Sequence, residues 1–353
     1  MKNKIVITFF SLLLLCTSCS SIYRFSVDIQ EPAKVTLPVY AQNVLILDNT
    51  VTQPEDMGIE RKFDGEPVIQ GGGLSLALDT MVWFAIDEIT VVFDESNFFN
   101  TIAVYRKPVR NDTEWFSQVE LSPELQSELY ENEKFNTLLV IDRLLFTFKQ
   151  DVIRSPNNIS SYWFNDIRAD GIITCSMYCL GKEKPVTTFS ISDSMFYRRA
   201  FFNHSITNFK KIPEFVLSNL SYMLGNQVAK RFTPTWKTVD RSFFLGYNSR
   251  MQEASGFAAN SKWALAEAIW NTELGKKEKP VVKAKISFNL SVANEMQDKF
   301  QTALEWAEKA KNYLSNTDAK DYKNEKEIID KYISDLEIRI KNNLLLDEQW
   351  GKE

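Results

Sequence analysis

The first 21 residues constrain this chain more than any other stretch. Lys2 and Lys4 give a positive start, and Ile5-Val6-Ile7-Thr8-Phe9-Phe10-Ser11-Leu12-Leu13-Leu14-Leu15 follows as one apolar run. A helix that spans a bilayer stably needs about 20 apolar residues, so this run is too short. It has the flanks and length of an export signal. Two small residues, Thr17 and Ser18, then precede Cys19. The chain is expected to lose residues 1–18 and to fold outside the cytoplasm. An ordinary secretory cut nearby and an N-terminal anchor helix are the alternatives.

Leu15-Cys16-Thr17-Ser18-Cys19 resembles the lipobox of bacterial lipoproteins, in which small residues precede a cysteine that is acylated before cleavage. Cys16 stands where Leu is usual. The resemblance implies lipid on Cys19 and a membrane tether. Each buried methylene contributes about 0.8 kcal/mol, so several acyl chains hold a protein almost permanently. Ser20-Ser21 lacks the Asp that retains many lipoproteins in the inner membrane. No acidic cluster resembling a surface-export tag follows Cys19. The expected location is the outer membrane, facing the periplasm.

About 335 residues remain after residue 18, more than one core comfortably serves, so two domains are expected. Loss of Lys2 and Lys4 takes the formal charge from −5 to −7. A mildly acidic chain without basic blocks argues against nucleic acid as partner. Cys175 and Cys179 are the remaining cysteines. On one strand their four-residue spacing spans about 13 Å, too far for a disulfide. They read as small buried hydrophobes.

Hydropathy patterning yields an order of elements. Residues 20–42 read as an extended lead-in, and Asn43–Asn49 as a buried strand. Leu78, Val82, Ala85, Ile89 and Val92 recur at helical spacing over 75–95. Asn100–Arg106 reads as a strand, and Ser122-Pro123 as a helix start. Thr137–Lys149 reads as a long strand, and 150–169 as a loop. A hairpin follows, turning at Gly181–Pro185. Ile173, Cys175, Met177 and Cys179 share one face of it, as do Phe189, Ile191, Met195 and Tyr197. Pro213 opens a helix that Pro234 stops. The fold class expected is an α/β domain, a mixed sheet with packed helices, over 43–245.

From 246 to 353 the pattern is helical. Ala284, Leu290, Phe300, Ala303 and Ala310 match the spacing of one tetratricopeptide repeat, in which small residues let two helices approach and large ones fill the gap. Asn294, Ala307 and Ser315 depart from it. Ala254, Trp263, Ala266 and Trp270 keep part of the same pattern upstream. Two degenerate repeats, 247–275 and 283–315, and a capping helix over 321–345 are expected. A generic helical bundle is the alternative. The expected division is signal 1–18, tether and lead-in strand 19–42, α/β domain 43–245, and all-α tetratricopeptide-like domain 246–353. The α/β domain is expected to stand next to the anchor.

Residues that could carry chemistry are few. His204 is the only histidine, so a Ser-His-Asp or multi-His zinc site has too few imidazoles. Gly71-Gly72-Gly73 precedes a helix, but no phosphate-loop Lys-Ser/Thr follows. Asp87-Glu88 and Asp94-Glu95 read as a solvated helix face. Trp115 and Trp163, in polar segments read as loops, are the aromatic residues best placed to stack on a sugar. No catalytic residue, cofactor or metal is expected.

The lipobox, the strand ending Leu45-Ile46-Leu47-Asp48-Asn49, the hairpin ending Ser192-Asp193-Ser194-Met195-Phe196-Tyr197 and the Trp-marked helical tail together resemble an uncharacterised lipoprotein family. It comes from Bacteroides-type bacteria, is a domain of unknown function and has tetratricopeptide-like repeats. More distantly, the element order looks like the α/β domain of curli-secretion and penicillin-binding-protein-activator lipoproteins. The function expected is a non-enzymatic scaffold or adaptor, membrane-bound through Cys19, with a protein partner on the helical domain. The rivals are a glycan- or peptidoglycan-binding lipoprotein and a hydrolase with a carboxylate site.

Overall fold

The chain's first strand, β1 (Ile22–Glu31), pairs with its last, β9 (Thr235–Phe244). The computed structural model describes residues 22–54, 58–67, 78–107, 109, 114–117, 119–154, 162–201, 212–246, 248–315 and 322–352. It divides into two units. A sheet unit holds Pro32–Thr235 with Leu346–Glu353, and a helical unit holds Met1–Glu31 with Trp236–Leu345. The expected linear division therefore changes at three places. Ile22–Glu31 and Trp236–Leu345 form one unit, and the last residues return to the other.

The sheet unit is built on β2 (Asn43–Asp48). Its run Val44-Leu45-Ile46-Leu47 is apolar without alternation because both faces are covered, as in the parallel part of a sheet. β2 lies parallel between β5 (Thr101–Tyr105) and the first part of β6 (Thr137–Arg154). The later part of β6 takes β3 (Ile59–Phe63) as its parallel neighbour, and β3 pairs with β4 (Glu66–Pro67). On its other side β6 runs antiparallel to β7 (Trp163–Cys179), which pairs in turn with β8 (Thr187–Phe201). The sheet is mixed and seven-stranded.

Two helices cover one face. In α1 (Leu78–Ser96), Met81, Val82, Ala85, Ile86, Ile89 and Phe93 are buried at helical spacing. In α3 (Glu214–Phe232), Val216, Leu220, Leu224 and Val228 are buried against the same core. They meet Ile173, Cys175, Met177 and Cys179, the face expected for the hairpin. On the other face α2 (Pro123–Glu133) buries Leu129 and Tyr130 with Leu45, Leu47, Leu138 and Val140. Ser122 caps α2, its Oγ accepting from the Leu125 N–H at 3.3 Å.

The expected loop over 150–169 is shorter than the sequence implied. β6 runs on to Arg154 and β7 starts at Trp163, with the register unbroken from Arg143↔Thr174 to Arg154↔Trp163. The segment is polar because one of its faces is open, and polarity hid the strand.

The helical unit contains α4 (Ser249–Ala259), α5 (Trp263–Leu274), α6 (Pro280–Glu295), α7 (Phe300–Ser315) and most of α8 (Lys323–Gln349). α4 packs on α5, α5 on α6 and α6 on α7. Ala254, Ala258, Ala266, Ala284, Ala303, Ala307 and Ala310 are all buried, which lets backbones approach. α6 is the inner helix, with every residue from Ile286 to Glu295 buried. Its Asn289 acts as a strand neighbour to β9: Oδ1 accepts from the Phe244 N–H at 2.7 Å and Nδ2 donates to the Phe244 carbonyl at 2.8 Å.

Gly225 is where α3 meets α1. A Cβ there would lie 2.4 Å from the Ala85 carbonyl oxygen, a backbone atom that cannot swing away. Gly225→Ala is expected to lower the urea midpoint by an amount equivalent to about 2–3 kcal/mol. Gly256, inside α4, has open space around its Cβ position. Gly256→Ala is expected to raise the midpoint by up to about 1 kcal/mol.

Candidate functional site

The open face of the sheet holds a cleft of about 190 Å³. Strand alternation builds it. Register sets Glu60 beside Lys149, Lys62 beside Asp151, Asp166 beside Arg198 and Arg168 beside Phe196. Lys62 bonds Glu60 at 3.0 Å, and Lys149 lies 3.9 Å from the same carboxylate. The Arg198 guanidinium forks onto Asp166 with two bonds of 2.6 Å. It also lies over the rings of Phe164 at 5.1 Å and Phe196 at 5.7 Å. The hydrogen bond from Lys62 holds the Glu60 carboxyl below its ordinary value, and the bond that Arg198 donates to Asp166 raises the guanidinium. Three cations and three carboxylates line the cleft, so it offers a ligand no net charge. Its one apolar feature open to solvent is Phe196, 60% exposed.

A second polar cluster sits at the carboxyl end of β2, where open α/β sheets commonly bind ligands. A register shift between Ile141 and Arg143 leaves Asp142 as an extra residue in β6. Its carboxylate accepts from Ser176 Oγ at 2.6 Å and from Asn49 Nδ2 at 3.4 Å. Ser176 also bonds Thr188 at 3.0 Å. Asp48 Oδ1 accepts from the N–H and hydroxyl of Thr50 at 2.9 and 2.7 Å. Arg143, buried, donates to the carbonyls of Glu114, Trp115 and Ser117 at 3.1, 3.0 and 2.9 Å. This holds the 114–117 turn and leaves Phe116 84% exposed at its tip. Asp48 and Arg143 hold backbone in place, and Asp142 ties the side chains of Asn49 and Ser176. Among the described residues no three metal-liganding side chains come together.

The helical unit contains a buried ionic cluster that sequence reasoning missed. Glu295 of α6 accepts from Arg241 Nε and Nη2 of β9 at 2.9 Å each, from Arg339 Nη1 at 2.7 Å and from the Tyr332 hydroxyl at 2.6 Å. The Glu295 side chain is 0% exposed and that of Arg241 4%. Burial pushes the Arg241 guanidinium down, the Glu295 carboxylate pushes it up by more, and the net shift is upward. Burial, then Glu295, pushes the Tyr332 phenol well up. A Glu two residues past Val292-Ala293 and an Arg two residues before Phe243-Phe244 were the available signals.

The residues singled out from sequence are dispersed. Cys19, His204 and Gly71-Gly72-Gly73 lie outside the described residues. Trp163 opens β7 rather than lying in a loop, and stacks on Phe63 at 5.1 Å. The Trp115 ring lies under the Arg143 guanidinium at 5.7 Å. Neither is a free sugar platform, and Trp236, at 72%, is far more exposed. Asp87, Asp94 and Glu95 are exposed on α1, while Glu88 accepts from Asn226 at 2.7 Å. Cys175 and Cys179 are free, buried thiols, pushed above their ordinary value by burial.

Glu295→Gln is expected to cost about 3–5 kcal/mol in chemical denaturation, because it leaves buried guanidinium groups without their counter-charge. The exposed Glu60→Gln is the control and should leave the midpoint unchanged. The two thiols should resist iodoacetamide until the chain unfolds. Above the ordinary thiol value of 9.0 the unfolded chain ionises before the folded one, so stability should fall as pH rises there.

The chain matches two families, each described as a domain of unknown function: DUF8603 over residues 41–244 and DUF6340 over 252–338. No curated protein matches significantly. Among solved structures, the PelC dodecamer from Paraburkholderia phytofirmans is 8% identical, covering 59% of this chain and 96% of that one, at a TM-score of 0.21. A minor lipoprotein from Acinetobacter baumannii is 8% identical, covering 55% and 93%, at 0.24. A putative neuraminyllactose-binding hemagglutinin homolog from Helicobacter pylori is 9% identical, covering 58% and 89%, at 0.27. Superpositions this loose carry no argument about function. With residues 41–244 matched, more than half of its length, the chain belongs to the family described as domain of unknown function DUF8603.

Proposed function

We propose that this is a lipid-anchored protein of the cell envelope, held through Cys19 on the periplasmic face of the outer membrane, and that it acts as a non-catalytic scaffold or adaptor. The observation that carries the reading is the N-terminal sequence: a positive start, a short apolar run, and Thr17-Ser18-Cys19. Among the described residues no helix is long and apolar enough to cross a membrane. The buried polar groups support a non-catalytic role by their use. Arg143 holds a turn, Asp142 a strand irregularity, and Glu295 three elements of the helical unit.

The partner surface we assign to the helical unit. Its α4–α5 and α6–α7 pairs have tetratricopeptide-like spacing, with alanines at the close approaches. Leu265 and Ile338 stand 51% and 56% exposed on it, apolar side chains available to a protein partner.

Two measurements test this. Cys19→Ala should abolish labelling by an alkyne-tagged fatty acid and release the protein from membranes; labelling that persists would remove the anchor. A photo-crosslinking residue at Leu265 or Ile338 should capture a defined protein in cells, whereas one at Phe196 should not. Capture at Phe196 alone would move binding to the sheet. Capture at none would leave glycan binding on the open sheet face as the better reading.

A further inference from the structure

Covalent geometry limits how far the helical unit can stand from the lipid. β1 begins at Ile22, and three peptide bonds separate that residue from Cys19. A fully extended chain gains at most about 3.6 Å per residue, so Ile22 lies within about 11 Å of Cys19. The headgroup layer adds only about 5–8 Å to each side of a bilayer's hydrocarbon core. An acylated Cys19 thus leaves no linker before the folded chain.

Side-chain contacts give the direction of the ribbon. Tyr23 stacks on Phe243 at 4.9 Å, Ser26 Oγ donates to Asp240 at 2.9 Å, Thr238 Oγ1 to Asp28 at 2.6 Å, and Lys237 Nζ to Glu31 at 2.8 Å. The two strands run in opposite senses, so Ile22 shares its end of the ribbon with Phe244 and Leu245. That end has the character of a membrane interface. Tyr23 is 37% exposed and Leu245 41%, and Arg24 is exposed beside them. Tyr pairs an apolar ring with a polar tip and favours the headgroup zone, and a cation there meets phosphate. Phe243 and Phe244, buried behind, make the end a fixed part of the core. The far end, at Glu31 and Lys237, is about 30 Å along the strand.

Resting on the lipid-anchor reading, we infer that the Ile22–Leu245 end of the β1–β9 ribbon is a lipid-contacting surface, seated in the headgroup layer with Tyr23, Arg24 and Leu245 against the bilayer. The helical unit, rather than the sheet unit expected from sequence order, is then the body that the lipid holds.

The test uses the full acylated protein in vesicles of phosphatidylethanolamine and phosphatidylglycerol that carry headgroup nitroxide lipids. A bimane label is placed at Leu245→Cys or, as control, at Lys237→Cys. Cys175 and Cys179 are buried and should stay unlabelled. The label at 245 is expected to lose most of its emission and the label at 237 to keep it. Equal quenching at both positions, or none at either, in protein that sediments with the vesicles would overturn this surface and leave the anchor intact. Protein that stays in the supernatant with an unmodified Cys19 by mass spectrometry would remove the anchor reading, and this surface with it.

Discussion

The helical unit is organised around one carboxylate. α6 is buried from Ile286 onward, so Glu295 at its end has no solvent to turn to. Burying a charge is tolerable only when partners replace water, and here they come from β9 and α8. Arg241 brings the ribbon, and Tyr332 and Arg339 bring the last helix. Hydrophobic packing alone would allow these elements to slide past one another. The directional bonds at Glu295, with the paired amide of Asn289 on Phe244, set one arrangement.

The sheet unit uses its buried polar groups in the same manner. Arg143 reaches three carbonyls of one turn, and Gln349 exchanges bonds with both backbone groups of Ala33. Each of these side chains holds backbone in place. What is left open is the charge-balanced sheet face around Phe196.

Elements with a strong local period were legible in the sequence. α1 showed its helical stripe, β2 its uninterrupted apolar run, α2 its Ser-Pro start, and the β7–β8 hairpin its alternation. The β1–β9 ribbon was not, because a two-stranded ribbon is recognised by its pairing, and Ser26 and Asp240 lie 214 residues apart. β9 is mostly polar, with its apolar residues gathered at Phe243 and Phe244, so it gave no strand signal and fell unassigned at the end of the α/β domain expected over 43–245. The ionic cluster was hidden for the same reason. Its members at 241, 295, 332 and 339 have no shared spacing, and only the fold brings them together. Trp163 misled because its polar neighbours were taken to mean loop, whereas an open sheet face is polar too; Trp115 does lie in a turn, but its ring is covered by Arg143.

Pairing the first strand with one that ends at Phe244 has a consequence for how the protein is made. β1 leaves the ribosome early, and its partner follows only after about 200 further residues. At synthesis rates of about 5–20 residues per second this delay is roughly 10–40 s. Throughout that interval β1 carries unsatisfied backbone groups and the side chains of Ile22 and Phe25, a strand edge ready to pair with anything extended. The order of synthesis therefore makes the first-made strand of the helical unit wait through the whole sheet unit for its partner, before any of the helices beside it exist.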